Sequence, residues 1–325
     1  MNALTWVGLL LVAGSYGQLL VPRRAFDRPT DFLLGLPIVP AGVLAISATL
    51  FTLGVILIGE GVCQRFGGSS LWSLAISDPV TFGRVILAGA AAGLAMELVG
   101  QWLGKLWTYP YWTGWFYALV VIPGFAFYWL SIVETYLAAK AVLDRLAKPR
   151  PAISPPRSAA RGLAGGVALI VVVWLYFHWY AQSGGFPFTV ATVTIHAPPF
   201  AYALLAFAGV WLLAEWALRR RGSPSLIGAG AGGYWVPPVA IVAASLVLSV
   251  VMETQNAVHR LWAYQHFPWP GRAFAGVPLS VFAAWPLQYV TFLVLPGLLV
   301  PRLAQLFWNA APAVRLTRSG RPPGR

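Results

Sequence analysis

Eight apolar runs of about 20 residues, near 4–21, 36–59, 81–104, 113–139, 163–181, 198–218, 236–258 and 273–300, leave this chain few ways to fold. A run of that length crosses a hydrocarbon core about 30 Å thick as a helix. Hydrophobic residues make up 58% of the chain and charged residues only 10%, against about 25% charge in a typical soluble domain. That polar surface is too small to solvate a globule in water. The expected fold class is therefore all-α, a polytopic integral membrane helix bundle of about eight transmembrane helices.

The stretch from Met1 to Val21 lacks a basic leader and a small-residue cleavage site, so it reads as the first span. Pro37 and Pro40 open the second run, Pro123 lies in the fourth, and Pro278, Pro286 and Pro296 lie in the eighth. Proline is tolerated in lipid where neighbouring groups take up the freed carbonyls. The segment AKPRPAISPPRSAARG divides the chain. The expected organisation is a first four-helix membrane repeat over 1–145, a Pro/Arg-rich cytoplasmic linker over 146–162, a second four-helix repeat over 163–305 and a basic disordered tail over 306–325.

Arg65, Lys140, Arg145, Lys148, Arg150, Arg157, Arg161, Arg219, Arg220, Arg221 and the tail fall on one side of the predicted spans. By the positive-inside bias that side is cytoplasmic, although the cluster Arg23, Arg24 and Arg28 falls on the other. The expected location is the inner membrane of a bacterium, with basic loops touching anionic lipid. The same placement explains a formal charge of +13 without nucleic acid as a partner.

The two halves share unusual residues at nearly one spacing. Glu60 and Glu215, Arg65 and Arg220, Gly67 and Gly222, and Ser70 and Ser225 are 155 apart. Met96-Glu97 matches Met252-Glu253 at 156, and Leu106-Trp107-x-Tyr109 matches Leu261-Trp262-x-Tyr264 at 155. Pro123 and Trp129 match Pro278 and, at 156, Trp285. An even number of spans per half keeps both copies in one orientation, so parallel repeats are expected.

Ionisable groups within a span are costly and carry a functional hypothesis by default. Glu97 and Glu253 sit near the ends of the third and seventh runs, at matching depth. Glu253, Asn256 and His259 follow at three-residue steps, and Gln101 stands four after Glu97, so each set shares a helix face. These residues predict a polar pocket, with Glu253, Glu97, His259 and Asn256 as candidate catalytic groups. Gln101, Trp107, Tyr109, Trp262, Tyr264 and Trp285 are the candidate substrate-binding groups. The competing reading makes the two acids glue between the halves and the aromatics an interface belt. Glu60 and Glu215 are expected at helix ends in surface pairs with Arg65 and Arg220, worth about 0–1 kcal/mol. Glu134 would line a cavity or snorkel toward the linker.

Other chemistries find little support. Cys63 is the single cysteine, four histidines are scattered without HxxxH or HExxH, and Asp27 and Asp31 read as a loop. Gly67-Gly68 and GAGAGG lack the context of a phosphate loop. No metal and no cofactor is expected.

Two segments carry a family resemblance. GVPLSVFAAWPLQYVTF, from Gly276 to Phe292, and the stretch from Glu97 through Trp107, Tyr109 and Tyr111 to Pro123 and Trp129 resemble the polytopic carotenoid-biosynthesis proteins. These are the bacterioruberin-type hydratases and, more distantly, the membrane lycopene cyclases. The resemblance implies that Glu97 and Glu253 match the family's membrane glutamate, and that Trp107, Tyr109, Trp262 and Tyr264 match its aromatic segment. Pro278 and Trp285 would match the helix that follows. The cyclases carry Pro-x-Glu-Glu at that helix start, whereas Pro123 here leads into Gly-Phe-Ala and Pro278 into Leu-Ser-Val. The resemblance thus points toward hydration and away from cyclisation.

Two functional readings follow. The first is a membrane-embedded enzyme of carotenoid or other isoprenoid lipid metabolism, with acid-catalysed proton transfer or hydration at a carbon–carbon double bond. Burial disfavours a charged carboxylate, so a carboxyl in oil can keep a proton to give. The second is a non-catalytic lipid- or pigment-binding membrane subunit, or a small-solute or lipid transporter. The expected partners are an apolar isoprenoid-like substrate, membrane lipids and, in the second reading, a partner membrane subunit.

Overall fold

The computed structural model describes residues 2–21, 38–103, 106–110, 122–147, 160–175, 188–190, 193–195, 199–260, 262–265, 267 and 271–309. Helix α1 spans Ala3–Ser15 and tightens into a 3-10 turn over Tyr16–Leu20. Helix α2 runs over Ile38–Phe66, α3 over Leu71–Ser77 and α4 over Pro79–Glu97, the last continuing as a π turn over Leu98–Leu103. Strand β1 (Trp107–Thr108) and helix α5 (Ile122–Leu146) follow. Then come α6 (Ala160–Leu175), strands β2 (Phe188–Val190) and β3 (Val193–Ile195), α7 (Pro199–Arg220) and α8 (Leu226–Ala231). The chain goes on through α9 (Val236–His259), β4 (Ala263–Tyr264), β5 (Ala273–Phe274), β6 (Val277–Pro278), α10 (Leu279–Leu299) and α11 (Pro301–Trp308).

The protein is an all-α, multi-pass membrane-spanning bundle. Among the described residues, seven helices are long and apolar enough to cross a membrane. The fifth expected span, near 163–181, is described only over the 16 residues of α6, roughly 24 Å of helix, and the residues that follow Leu175 lie outside the described set. The fourth expected span is described from Ile122, and residues 111–121, which include its expected start, lie outside the described set. So do most of the linker and residues 310–325, while α11 carries ordered helix past the boundary expected at 305.

Helix α1 packs on α2, α2 on α5, and α4 on α5; likewise α6 packs on α7, α7 on α10, and α9 on α10. Contacts of α5 with α9 and of α4 with α10 join these sets, so α5 and α10 lie at the centre. In lipid no hydrophobic force drives helices together; packing and interhelical hydrogen bonds must. The Trp129 indole, fully buried, donates to the Phe292 carbonyl at 2.7 Å and joins α5 to α10. The Tyr136 hydroxyl donates to the Phe307 carbonyl at 2.6 Å and joins α5 to α11. Lys140 and Asp144 pair at 2.9 Å in the wall of α5, and the Tyr234 hydroxyl, just before α9, donates to Asp144 at 2.5 Å.

The short helices α3 and α8 arise from similar local chemistry. Gly67 and Gly222 have φ of 72° and 68°, the left-handed conformation that ends a helix at little cost only with glycine. Past each, an amide closes back on the helix: Gly68 N–H on the Cys63 carbonyl at 2.8 Å, Ser223 N–H on the Leu218 carbonyl at 2.9 Å. Ser70 and Ser225 then cap α3 and α8 through the Ser73 and Gly228 amides, each at 3.1 Å.

The surface pairs expected at Glu60 and Glu215 do not form. Helix α2 continues past residue 59 to Phe66, which carries Glu60 into the interior, and both glutamates are buried. Glu60 accepts from Gln64 at 2.8 Å, and Glu215 accepts the Ile227 amide at 3.1 Å in the first turn of α8. Glu134, also buried, accepts the Leu71 amide at 2.9 Å in the first turn of α3.

Candidate functional site

Two helices with a glutamate near the C-terminal end build the site. Helix α9 carries Glu253 in its penultimate turn and stops at Arg260, whose left-handed backbone turns the chain back. Strand β4 then runs beside the helix end, and the Tyr264 hydroxyl donates to Glu253 Oε1 at 2.5 Å. Asn256 holds that return in register. Its Nδ2 donates to the Trp262 carbonyl at 2.9 Å, and its Oδ1 accepts the Trp262 amide at 3.0 Å. Its Nδ2 also reaches Glu253 Oε2 at 3.5 Å.

Helix α4 makes a related arm around Glu97. The Tyr109 hydroxyl donates to Glu97 Oε1 at 2.6 Å and the Trp107 indole to the same oxygen at 3.1 Å. Ten positions separate Glu97 from Trp107 but nine separate Glu253 from Trp262. The π turn over Leu98–Leu103 takes up the extra residue. The two arms meet: β1 pairs antiparallel with β4, Trp107 opposite Tyr264 and Thr108 opposite Ala263. The Gln265 amide extends this ribbon to the Leu106 carbonyl at 2.7 Å.

Both carboxyl groups are fully buried, at 0% exposure, so neither points into lipid. They differ in what lies next to them. A cavity of about 630 Å³ opens between α2, α5, α7, α9 and α10, and Glu253 lines it, whereas Glu97 lies behind its wall. That volume is in the range of pockets for small organic ligands. All five expected aromatic residues, Trp107, Tyr109, Trp262, Tyr264 and Trp285, line the cavity. Phe51, Phe125, Phe207, Phe267, Val281, Met96 and Met252 complete a wall that is mainly apolar.

The remaining expected site residues lie elsewhere. Asn256 is not in the wall, and its amide is committed to the Trp262 backbone. Gln101 is not in the wall either; it sits in the π turn, where the four-residue repeat from Glu97 is broken. The backbone of His259 ends α9, and its side chain lies outside the described residues.

The wall also contains groups that the sequence did not single out. Tyr128 of α5 lies within electrostatic reach of both Glu97 and Glu253, and its ring meets Trp285 edge-on at 6.5 Å. Gln288 of α10 reaches Met96 Sδ at 2.8 Å and the Tyr128 hydroxyl at 3.3 Å. Nothing local marks these two residues, because only the crossing of α5 with α10 brings them together. Burial first, and then the adjacent Glu253 carboxylate, hold the Tyr264 phenol well above its ordinary range, so Tyr264 acts as a proton-bearing donor to the acid. Among the described residues no group of three or more His, Cys, Asp or Glu side chains is arranged to hold a metal ion.

Comparison with protein-family models, with curated proteins and with solved structures gives no match. The functional reading therefore rests on the geometry and chemistry of this cavity.

Proposed function

We propose that this protein is a membrane-embedded enzyme of carotenoid or other isoprenoid lipid metabolism, acting on a carbon–carbon double bond by proton transfer or hydration. One observation carries the reading: Glu253 is fully buried, yet it lines a mainly apolar cavity whose wall holds three tryptophans. An apolar substrate enters such a site from the bilayer without leaving oil, and a carboxyl kept from water is suited to giving up a proton.

In the hydration reaction the Glu253 carboxyl passes its proton to one alkene carbon. The π electrons form the new C–H bond and leave positive charge on the neighbouring carbon. The faces of Trp107, Trp262 and Trp285 stabilise that charge. Water then forms a C–O bond with the cation and returns a proton to the carboxylate, so the net change is addition of water. Loss of a different proton in place of water attack gives an isomerised double bond. Tyr264 orients the acid, and Asn256 acts as a positioning residue by holding the Trp262 backbone. Glu97 serves as an anchor for Trp107 and Tyr109.

We also infer that the chain is a duplicated pair of four-helix units in parallel orientation within a bacterial inner membrane. The matched glycine turns at Gly67 and Gly222, the serine caps at Ser70 and Ser225, and the phenol-to-glutamate bonds of Tyr109 and Tyr264 support this. Parallel repeats relate to each other by an axis along the membrane normal, in keeping with the antiparallel meeting of β1 and β4.

A non-catalytic lipid- or pigment-binding subunit is the second reading, favoured by the use of Glu97 as a buried anchor set back from the cavity. The test is to compare polyene and isoprenoid masses in lipid extracts of cells carrying the wild-type gene, no gene, or Glu253→Gln. The enzyme reading expects a product mass, 18 Da above its precursor for hydration or unchanged for isomerisation with an altered absorption spectrum, that disappears in Glu253→Gln. Identical extracts from all three strains would remove it.

A further inference from the structure

Ser and Thr side chains inside a membrane helix normally satisfy themselves on a backbone carbonyl one turn back. Among the described residues, all but two of the buried Ser and Thr hydroxyls are engaged, by that rule or by another partner. Ser131 bonds Phe127, Ser245 bonds Val242, Ser249 bonds Leu246 and Thr291 bonds Leu287, each through the carbonyl oxygen. Ser15 bonds the Val12 carbonyl and Thr5 bonds Asn2, while Ser70 and Ser225 cap helices and Ser280 is engaged. Ser47 and Thr52, at 5% and 8% exposure, are the two such hydroxyls among the described residues with no hydrogen bond to protein, and neither oxygen is sealed off, so each is open to the cavity. Both lie on α2, and both line the cavity that Glu253 lines.

A hydroxyl without a partner in an apolar wall is costly, and valine or alanine would fill either position without that cost. We propose that Ser47 and Thr52 form a binding station for a ligand oxygen, so that the substrate class is a long apolar lipid bearing an alcohol or carbonyl group, not a pure hydrocarbon. This rests on the reading of the cavity as an apolar-lipid site. The two hydroxyls are five positions apart, about 7.5 Å along the helix axis and roughly 140° around it, so a ligand oxygen bonds one or the other. Glu253 stands on the α9 wall of the same cavity. One ligand thus meets an acid at its double bond and a hydrogen-bond donor at its oxygen, which fixes the double bond presented to the acid.

The experiment uses the full chain in lipid nanodiscs with two probes, retinol and the hydrocarbon that has hydrogen in place of its hydroxyl. Both polyenes accept energy from tryptophan, and Trp107, Trp262 and Trp285 stand in the wall, so quenching of tryptophan emission reads binding. Comparing protein variants with one probe cancels that probe's partition into the bilayer. The expected result is that Ser47→Ala/Thr52→Val weakens retinol binding about three- to tenfold, the effect of one net hydrogen bond, and leaves the hydrocarbon's affinity unchanged. The control is Thr49→Val, whose hydroxyl is already bonded to the Ala45 carbonyl at 2.7 Å; it should leave both affinities unchanged. Retinol affinity unaltered in the double variant overturns the polar station while the lipid-site reading stands. An equal loss for both probes also overturns it, because the substitutions then act on cavity shape alone. Binding of neither probe to the wild-type chain removes both readings.

Discussion

Gly100 and Asn256 each stand three positions beyond a buried glutamate, and the side chain present or absent there determines where the following tryptophan goes. A Cβ at position 100 would lie 1.9 Å from Cη2 of Trp107, so only glycine lets that indole lie against the helix and donate to Glu97. At position 256 an amide fills the corresponding space and grips the Trp262 backbone, and the Trp262 indole donates instead to the Tyr264 hydroxyl at 3.1 Å. Gly100→Ala should therefore displace Trp107 and lower stability by about 1–3 kcal/mol. The measurement is the thermal unfolding midpoint in detergent; a midpoint equal to wild type would refute the close seat.

Asn256→Ala removes two hydrogen bonds to one backbone unit and leaves the Trp262 amide and carbonyl unpaired. The expected loss is about 1–3 kcal/mol, with a larger fall in turnover than in ligand affinity because the Tyr264–Glu253 geometry slackens. Asn256→Asp keeps the acceptor for the Trp262 amide and loses the donor, so it should fall between the two. Equal effects from both variants would contradict the clasp.

Tyr264→Phe deletes the donor to Glu253 Oε1 and exchanges a buried phenol for a ring of the same shape. Leaving that acceptor unpaired costs about 1–3 kcal/mol. Tyr109→Phe, by contrast, leaves Glu97 with its Trp107 donor and should cost less. Side-by-side denaturation of the two variants checks the order; a reversed order would show that the arms are held by other contacts.

Much of this site is readable from the sequence, for a definable reason. Glutamate followed at nine or ten positions by Trp-x-Tyr is a local pattern, and a helix end with a short return strand is local structure, so Trp107, Tyr109, Trp262 and Tyr264 follow from it. Gln101 fails because a π turn breaks the register that the four-residue spacing assumes. Glu60 fails because α2 runs a further seven residues, straight through Gly59 and Gly61, and stops only before Gly67. Tyr128, Gln288, Ser47 and Thr52 carry no signal in one dimension; each gains its meaning from a helix distant in the chain.

The pH response of stability has one assignable source outside the spans. Asp78 caps α4 through the Thr81 amide at 3.0 Å and meets Arg302 of α11 at 2.9 Å. Hydrogen bonds from Thr81, and then Arg302, hold its carboxyl below the usual carboxylate range. A depressed folded-state value means that this stabilisation is present above the unfolded pKa of about 3.9 and is lost as pH falls through the lower folded value. Asp78→Asn should flatten the fall of the unfolding midpoint below about pH 4; an unchanged profile would exclude this contact as its source.

Equivalent glycines offer a further comparison. Gly67→Ala and Gly222→Ala each put a side chain at positive φ and should each cost about 1 kcal/mol. Unequal losses, read from the same unfolding assay, would argue against equivalent roles in two copies.

The ribbon formed by β1 and β4 couples the two acids mechanically. Trp107, which anchors on Glu97, lies opposite Tyr264, which bonds Glu253, and the Gln265 amide binds the Leu106 carbonyl. A shift in either arm is transmitted across two backbone rungs to its counterpart. Glu97 stands back from the cavity that Glu253 lines, yet a displacement of its arm would reach the acid through this ribbon and spoil its aim.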